Sequence, residues 1–202
     1  SVAASCIPVV IGTKDVFAAT AAALKLPVKG VTLSRVVREE LKEGTIYLLH
    51  CADRDPVSVR MGKPEGCYGK DAFLYVQKGV EQALGDNIDG LVTAPVSKEG
   101  IRQAGFTFEG HTEYLAHLTK TKKYRMMFVG GGLKIILATI HIPLKEVFRR
   151  LNPGMLLETI EMAHGASRLF GIAEPRIAVS GLNPHAGEGG MFGAEEQDII
   201  LP

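Results

Sequence analysis

Short apolar runs of strand length alternate with longer segments of helical period along most of the chain, and this alternation constrains the fold more than any other feature. Ile7-Pro8-Val9-Val10-Ile11-Gly12 reads as a first buried strand. Lys14 to Lys25 follows as a helix, with Val16, Phe17, Ala21 and Leu24 at helical spacing and Pro27 stopping it. Leu33 to Lys42 reads as a weaker, charge-rich amphipathic helix with Ser34 as a candidate N-cap, and Thr45 to His50 as a second strand. Cys51 to Gly69, punctuated by Pro56, Gly62, Pro64, Gly66 and Gly69, reads as a loop. A long helix is then expected from about Lys70 to Leu84, with Phe73, Val76, Gln77, Val80 and Leu84 marking one face. Asp89 to Pro95 reads as strand then loop, Ser97 to Ala104 as a short helix capped by Ser97, and Gly110 opens another helical run through Leu118. Two apolar runs, Arg125 to Val129 and Leu133 to Thr139, flank Gly130-Gly131-Gly132 and predict a β-hairpin. Pro143 begins a helix near Leu144 to Arg150, and Met155 to Phe170 is a second long helix closed by Gly171. Arg176 to Ser180 reads as a strand and Ala194 to Ile200 as a helix. Strands alternating with helices, with one antiparallel hairpin inserted, predict an α/β fold on a mixed sheet.

Charge and cysteine usage narrow the functional classes. The net charge is +1, with no basic block and no Trp, which argues against a nucleic-acid partner. No apolar run reaches the length of a membrane span, and Ser1 to Cys6 lacks the charged start and apolar stretch of a signal peptide. Cys6, Cys51 and Cys67 are widely spaced and odd in number, a pattern of free thiols that points to the cytosol. With 202 residues the chain can form one large domain or two small ones. It stops at Leu201-Pro202 soon after a helix has begun, and a one- or two-turn helix is marginal alone, so the chain reads as part of a longer protein.

The stretch Leu182-Asn183-Pro184-His185-Ala186-Gly187-Glu188-Gly189-Gly190 is the leading candidate for chemistry. It lies between a strand-like and a helix-like segment, where open α/β sheets bind ligands. Its glycines allow close backbone approach and positive φ; the alternative is a plain Gly-rich turn with an exposed His. Of six histidines, His50, His117 and His164 sit in periodic segments and read as structural or surface residues. His141 and His185 each follow an apolar run and could share a divalent metal, or serve separate hydrogen-bonding roles. Catalytic zinc typically takes three protein ligands, so two imidazoles leave one to be found. His111 and Thr112 follow Gly110 at a helix start, where backbone N–H groups suit a phosphate or carboxylate, unless one of the two merely caps the helix. Lys98, in the first turn of its own helix, either meets an anion or is solvated. No G-x-G-x-x-G fingerprint, Walker A loop or serine nucleophile elbow occurs.

Four segments together resemble the 4-hydroxythreonine-4-phosphate dehydrogenase (PdxA) family of vitamin B6 synthesis. They are Val92-Thr93-Ala94-Pro95-Val96-Ser97-Lys98, Gly110-His111-Thr112-Glu113, Ala138-Thr139-Ile140-His141-Ile142-Pro143-Leu144 and Gly181 to Gly190, in similar order and spacing between about Asp71 and Leu201. The resemblance implies an oxidoreductase with a three-layer α/β/α mixed-sheet fold like that of isocitrate and isopropylmalate dehydrogenases, here as a partial two-domain unit. It implies a homodimer whose active site, in a cleft, is shared between subunits. His141 and His185 correspond to ligands of a divalent metal (Zn, Mg or Co), and His111 and Thr112 to substrate-binding residues. No catalytic residue follows from it. NAD or NADP accepts the hydride. The implied reaction is oxidation of 4-phosphohydroxy-L-threonine with decarboxylation to 3-amino-2-oxopropyl phosphate, in pyridoxal phosphate biosynthesis. Asn183 and Glu188 are either supports for the ligand loop or ordinary turn residues. The family's opening Gly/Pro-rich segment and its Tyr-His-Asp-Gln-Gly motif, which carries a third metal histidine, do not occur here. The competing readings are a related dehydrogenase of a four-carbon sugar-acid phosphate or of a dihydrodiol, a metal-dependent hydrolase using the same two histidines, and a non-catalytic fragment.

Overall fold

The structure is a computed structural model, and it describes residues 5–28, 30–53, 62–108 and 110–202. It is a mixed α/β chain that divides between Lys122 and Lys123 into two compact units. The first four residues, and residues 54–61 of the expected loop after Cys51, lie outside the described residues.

In the first unit three short parallel strands, β1 (Val9–Gly12), β2 (Gly30–Leu33) and β3 (Ile46–His50), pair in the order β1-β3-β2. β3 is central, and its Tyr47, Leu48 and Leu49 are buried, as expected of an apolar strand paired on both edges. Helix α1 (Lys14–Ala23) is the crossover from β1 to β2. Thr13, buried between β1 and α1, donates to Ala52 O at 2.9 Å and lies 2.6 Å from the Tyr75 hydroxyl, tying the ends of β1 and β3 to the next helix.

That helix, α2 (Gly66–Leu84), is the longest of the described residues. It begins four residues before the expected Lys70, because Gly66 and Gly69 serve packing rather than a loop. A Cβ on Gly69 would stand 2.2 Å from the carbonyl oxygen of Gly100, so only glycine lets α3 (Lys98–Gln103) lie this close. Phe73, Val76 and Val80 are buried along the expected face, but Gln77 and Leu84 are exposed. Phe73 stacks on Tyr114 at 4.1 Å between ring centroids and meets Phe106 at 4.5 Å. With Val76 and Ile101 these rings form the core against which α4 (His111–Thr119) packs. The expected cap of α3 is present: the Ser97 hydroxyl accepts from Gly100 N at 3.1 Å.

The second unit opens with the expected hairpin, β4 (Met127–Gly130) and β5 (Leu133–Ile136), antiparallel across a two-residue turn. Gly131 and Gly132 have φ of 56° and 83°, the two positive values a type I′ turn requires. Helix α5 (Leu144–Arg150) follows Pro143, and α6 (Pro153–Ser167) starts two residues earlier than expected. Asn152 caps α6, accepting from Met155 N at 3.0 Å, with Pro153 in the first turn. Arg125 reaches α6, donating to Thr159 Oγ1 at 3.1 Å and to Glu158 at 2.9 Å.

Four expected elements differ. The helix over Leu33 to Lys42 is instead the end of β2, a bend, and one 3₁₀ turn at Arg38–Glu40. Val31 and Thr32 favour the extended form, Val36 is drawn into the core, and Arg38 bonds to the Asp86 carbonyl and pairs with Asp89. Asp89 to Pro95 and Arg176 to Ser180 are irregular: among the described residues neither has a strand partner, and a ladder cannot form without one. The segment expected as a helix from Ala194 winds into a π-helical turn at Glu196–Ile200.

Candidate functional site

In the first unit, His111 and Thr112 occupy the first turn of α4. The turn is anchored by Tyr114, three residues on, whose ring is buried against Phe73 and Phe108. Gly110 at the N-cap supplies no side-chain acceptor, so among the described residues no N-cap side chain closes the first turn of α4, a helix start that suits an anion. The expectation that His111 or Thr112 caps the helix is therefore not met. His111 Nε2 is buried and, among the described residues, has no hydrogen-bond partner. A buried polar atom left unpaired costs about 1–3 kcal/mol, and such orphans are rare enough in folded proteins to ask for a reason. Lys98 lies in the first turn of α3, exposed to solvent.

In the second unit, His141 and His185 are both solvent-exposed and both stand on left-handed backbone, with φ of 52° and 54°. Neither histidine stands directly at the end of a strand. β5 ends at Ile136, five residues before His141, and the run before His185 is not a strand. Among the described residues no three His, Cys, Asp or Glu side chains gather as a metal site.

The loop around His185 has a backbone rarely seen in a chain of L-residues. His185, Ala186, Gly187, Glu188 and Gly189 all have positive φ, from 42° to 79°. For each of the three that carry a side chain this costs roughly 1–2 kcal/mol, so the surroundings must hold the loop in place. They do so through Glu196. Its Oε1 accepts from Leu182 N at 2.8 Å and Asn183 N at 2.7 Å, and its Oε2 accepts from Asn183 Nδ2 at 3.0 Å. Asn183 Nδ2 also donates to Glu195 at 2.7 Å. Donation from the Asn183 backbone, then its side chain, holds the buried Glu196 carboxyl below the usual range, against the upward push of burial. Gly187 lies close to this carboxylate, and Gly193 lies close to Glu195 and Asn183. A Cβ on Gly187 would stand 2.8 Å from Glu196 Oε2, and one on Gly193 would stand 2.6 Å from Asn183 Nδ2. The ring of Phe192 flanks His185 at 5.9 Å.

Glu196 is the residue that sequence reasoning misses. A Glu-Glu pair near a helix start reads as a solvated complement to the helix dipole. The available signal was the set Gly181, Gly187 and Gly193, three positions that crowd round Glu196 and Asn183 and that sequence alone reads as turn glycines. Asn183, read as either a support or a turn residue, is a support of the loop; the Glu188 backbone lies within the positive-φ run and its side chain is exposed.

Comparison with known proteins extends this geometry. The chain matches the family profile described as pyridoxal phosphate biosynthetic protein PdxA over residues 4–202. It is 43% identical over 160 residues to a 4-hydroxythreonine-4-phosphate dehydrogenase of Desulforapulum autotrophicum, covering 79% of this chain and 47% of the relative. It is 38% identical to a D-threonate 4-phosphate dehydrogenase of Cupriavidus necator, covering 100% of this chain and 61% of the relative. Its fold superposes with a TM-score of 0.86, at 34% identity, on the crystal structure of a 4-hydroxythreonine-4-phosphate dehydrogenase from Klebsiella pneumoniae, covering 96% of this chain and 59% of that one. The chain thus spans about half to three fifths of the length of the relatives it matches. With a family profile aligned over nearly all of its residues, the chain belongs to the PdxA family.

Proposed function

We propose that the protein oxidises a phosphorylated four-carbon hydroxy acid, 4-phosphohydroxy-L-threonine, with loss of carbon dioxide to give 3-amino-2-oxopropyl phosphate for pyridoxal phosphate synthesis. The hydride acceptor is NAD or NADP. The observation that carries this reading is the orphaned Nε2 of His111 beside the start of α4, which among the described residues no N-cap side chain closes: a buried donor or acceptor and a helix start, both suited to an anionic, hydroxyl-bearing ligand. Thr112 adds a hydroxyl to the same turn. These residues bind and orient the substrate, and the low-dielectric side of His111 strengthens whatever hydrogen bond it makes.

His141 and His185 fit a divalent cation as two of its ligands: both rings are exposed, and neutral imidazole suits Zn or Co, and Mg less well. A third ligand is then required. A cation held there supplies Lewis acidity toward the substrate's secondary hydroxyl and toward the negative charge that develops on decarboxylation. The part of the chain is to keep both rings fixed at the substrate. We further propose a two-domain unit in a three-layer α/β/α fold of the isocitrate dehydrogenase type, a homodimer with its site shared between subunits, and a cytoplasmic location. No helix of the described residues is long and apolar enough to cross a membrane.

A second reading is a D-threonate 4-phosphate dehydrogenase, favoured by a relative of that name that aligns with the whole of this chain. The test is a spectrophotometric assay of the full-length, cobalt-loaded protein with NAD or NADP and each acid phosphate. Reduced nicotinamide with 4-phosphohydroxy-L-threonine supports the first reading, and with D-threonate 4-phosphate alone the second. A dihydrodiol belongs in the same assay. Phosphate release without reduced nicotinamide would indicate a hydrolase and overturn both readings.

A further inference from the structure

Two facts about the His185 loop bear on each other. Its backbone is costly, with His185, Ala186 and Glu188 at φ of 54°, 51° and 42°. Its entry is held by one buried side chain, Glu196, which is 6% exposed and lies outside the loop itself. The carboxylate takes two backbone N–H groups on one oxygen and the Asn183 carboxamide on the other. A neutral acceptor could satisfy part of this arrangement. Three convergent donors, however, favour an ionised carboxylate. Gly187 closes on the same group, a Cβ on Gly181 would stand 3.0 Å from Ala186 and 3.4 Å from Glu196 Oε1, and one on Gly193 would meet Glu195 Oε2 and the Asn183 carboxamide. Substitution at Gly187 would therefore press on Glu196, and substitution at Gly193 on Glu195 and on the Asn183 bound to Glu196.

We infer that Glu196 is a positioning residue for His185: by fixing the amides of residues 182 and 183 it sets the angle at which the chain enters the positive-φ turn, and so the orientation of the His185 imidazole. The inference rests on the reading of His185 as a metal ligand. The physical link is population. An exposed ring on costly backbone is competent to bind only for the fraction of time the loop holds that conformation, and the apparent affinity falls by the same fraction. Groups that orient a ligating histidine typically account for about 10–100-fold in metal affinity. Glu196 acts through the backbone, two residues before the ring, rather than by a bond to the ring itself.

The test uses the full-length protein and Co(II) alone as probe. Co(II) binding is followed by its visible absorption in the wild type, Glu196→Gln, Glu196→Ala and His185→Ala. Amide hydrogen exchange at Leu182 and Asn183 is followed in the metal-free protein. Glu196→Gln keeps the side-chain length but turns an NH2 toward donors. We expect the Co(II) Kd to rise about 10–100-fold in Glu196→Gln while circular dichroism remains native, with faster exchange at both amides. A purely structural role would lower the melting temperature and leave the Co(II) Kd of the folded protein where it was; that result overturns the inference. So does free exchange of the Leu182 and Asn183 amides in the wild type, which can be read even if neither Glu196 variant folds. If His185→Ala binds Co(II) as tightly as the wild type, the metal reading fails and takes the inference with it. That outcome is told apart by the variant in which it occurs.

Discussion

At Gly187 the backbone turns through a φ of 79°, and an added methyl group would meet Glu196 Oε2 at 2.8 Å and Gly193 O at 3.1 Å. Gly187→Ala combines a disfavoured dihedral with a close contact, and we expect a loss of about 1–3 kcal/mol in urea unfolding. Glu188 offers the converse. Its side chain is exposed and its φ of 42° is one that glycine adopts without strain. Glu188→Gly should therefore stabilise the protein by about 0.5–1 kcal/mol in the same assay, and a loss of stability would show that the Glu188 side chain holds the loop. The sequence discloses this site unevenly. The run from Leu182 to Gly190 announces a special backbone through its glycines, and the helix starting at His111 is legible as the run that Gly110 opens and that continues through Leu118. The role of Glu196 is not legible, because it arises from a contact with Asn183 across 13 residues of chain that no local pattern encodes. Nor does any pattern disclose that His111 Nε2 is buried, since that depends on how α4 settles on the Phe73 cluster.

Among the elements, α2 and α3 lie closest where Gly69 faces Gly100. A Cβ at Gly69 would press on backbone atoms, which cannot swing aside as a side chain does. Gly69→Ala should cost about 1–3 kcal/mol or more, and should do so cooperatively, since Ile101 on α3 belongs to the same core as Phe73. A different bond ties α6 to the segment before β4. Lys123 lies 3.2 Å and Arg125 2.9 Å from the Glu158 carboxylate. Lys123 first, and Arg125 with it, hold the Glu158 carboxyl below the usual range. A carboxyl whose folded value is depressed contributes stability above its unfolded value, and the contribution fades as pH falls through the folded value. Acid melting curves of Glu158→Gln and of the wild type should therefore stay apart by the full gap above about pH 4.5 and draw together only as pH falls further below it. The gap should be modest and salt-sensitive, because Lys123 is largely exposed. Sequence reveals the helices α1 to α6 through their period and caps, the hairpin through Gly131-Gly132, and β1 and β3 through their continuous apolar runs. β2 is hidden because Val31 and Thr32 gain their place by pairing with β3, and the helix expected over Leu33 to Lys42 fails for the same reason. The runs at Asp89 and Arg176 have strand composition but, among the described residues, no strand partner; composition reports a preference and pairing decides the outcome.

Across the whole molecule, the chain passes from one unit to the other through residues 120–124, which are exposed and outside regular structure. Such a crossing is a favoured site of proteolysis, so brief trypsin treatment should cut after Lys120 or Lys122 before it opens α2 or α6. Mass spectrometry of the first fragments decides the point, and early cuts inside either helix would contradict the division. For a few residues around Ala186 the molecule also winds against the handedness of its own amino acids. The mirror-image building block would be at home there. Semisynthesis that places D-alanine at position 186 should hold the turn without strain, where the same exchange in α6 would break the helix.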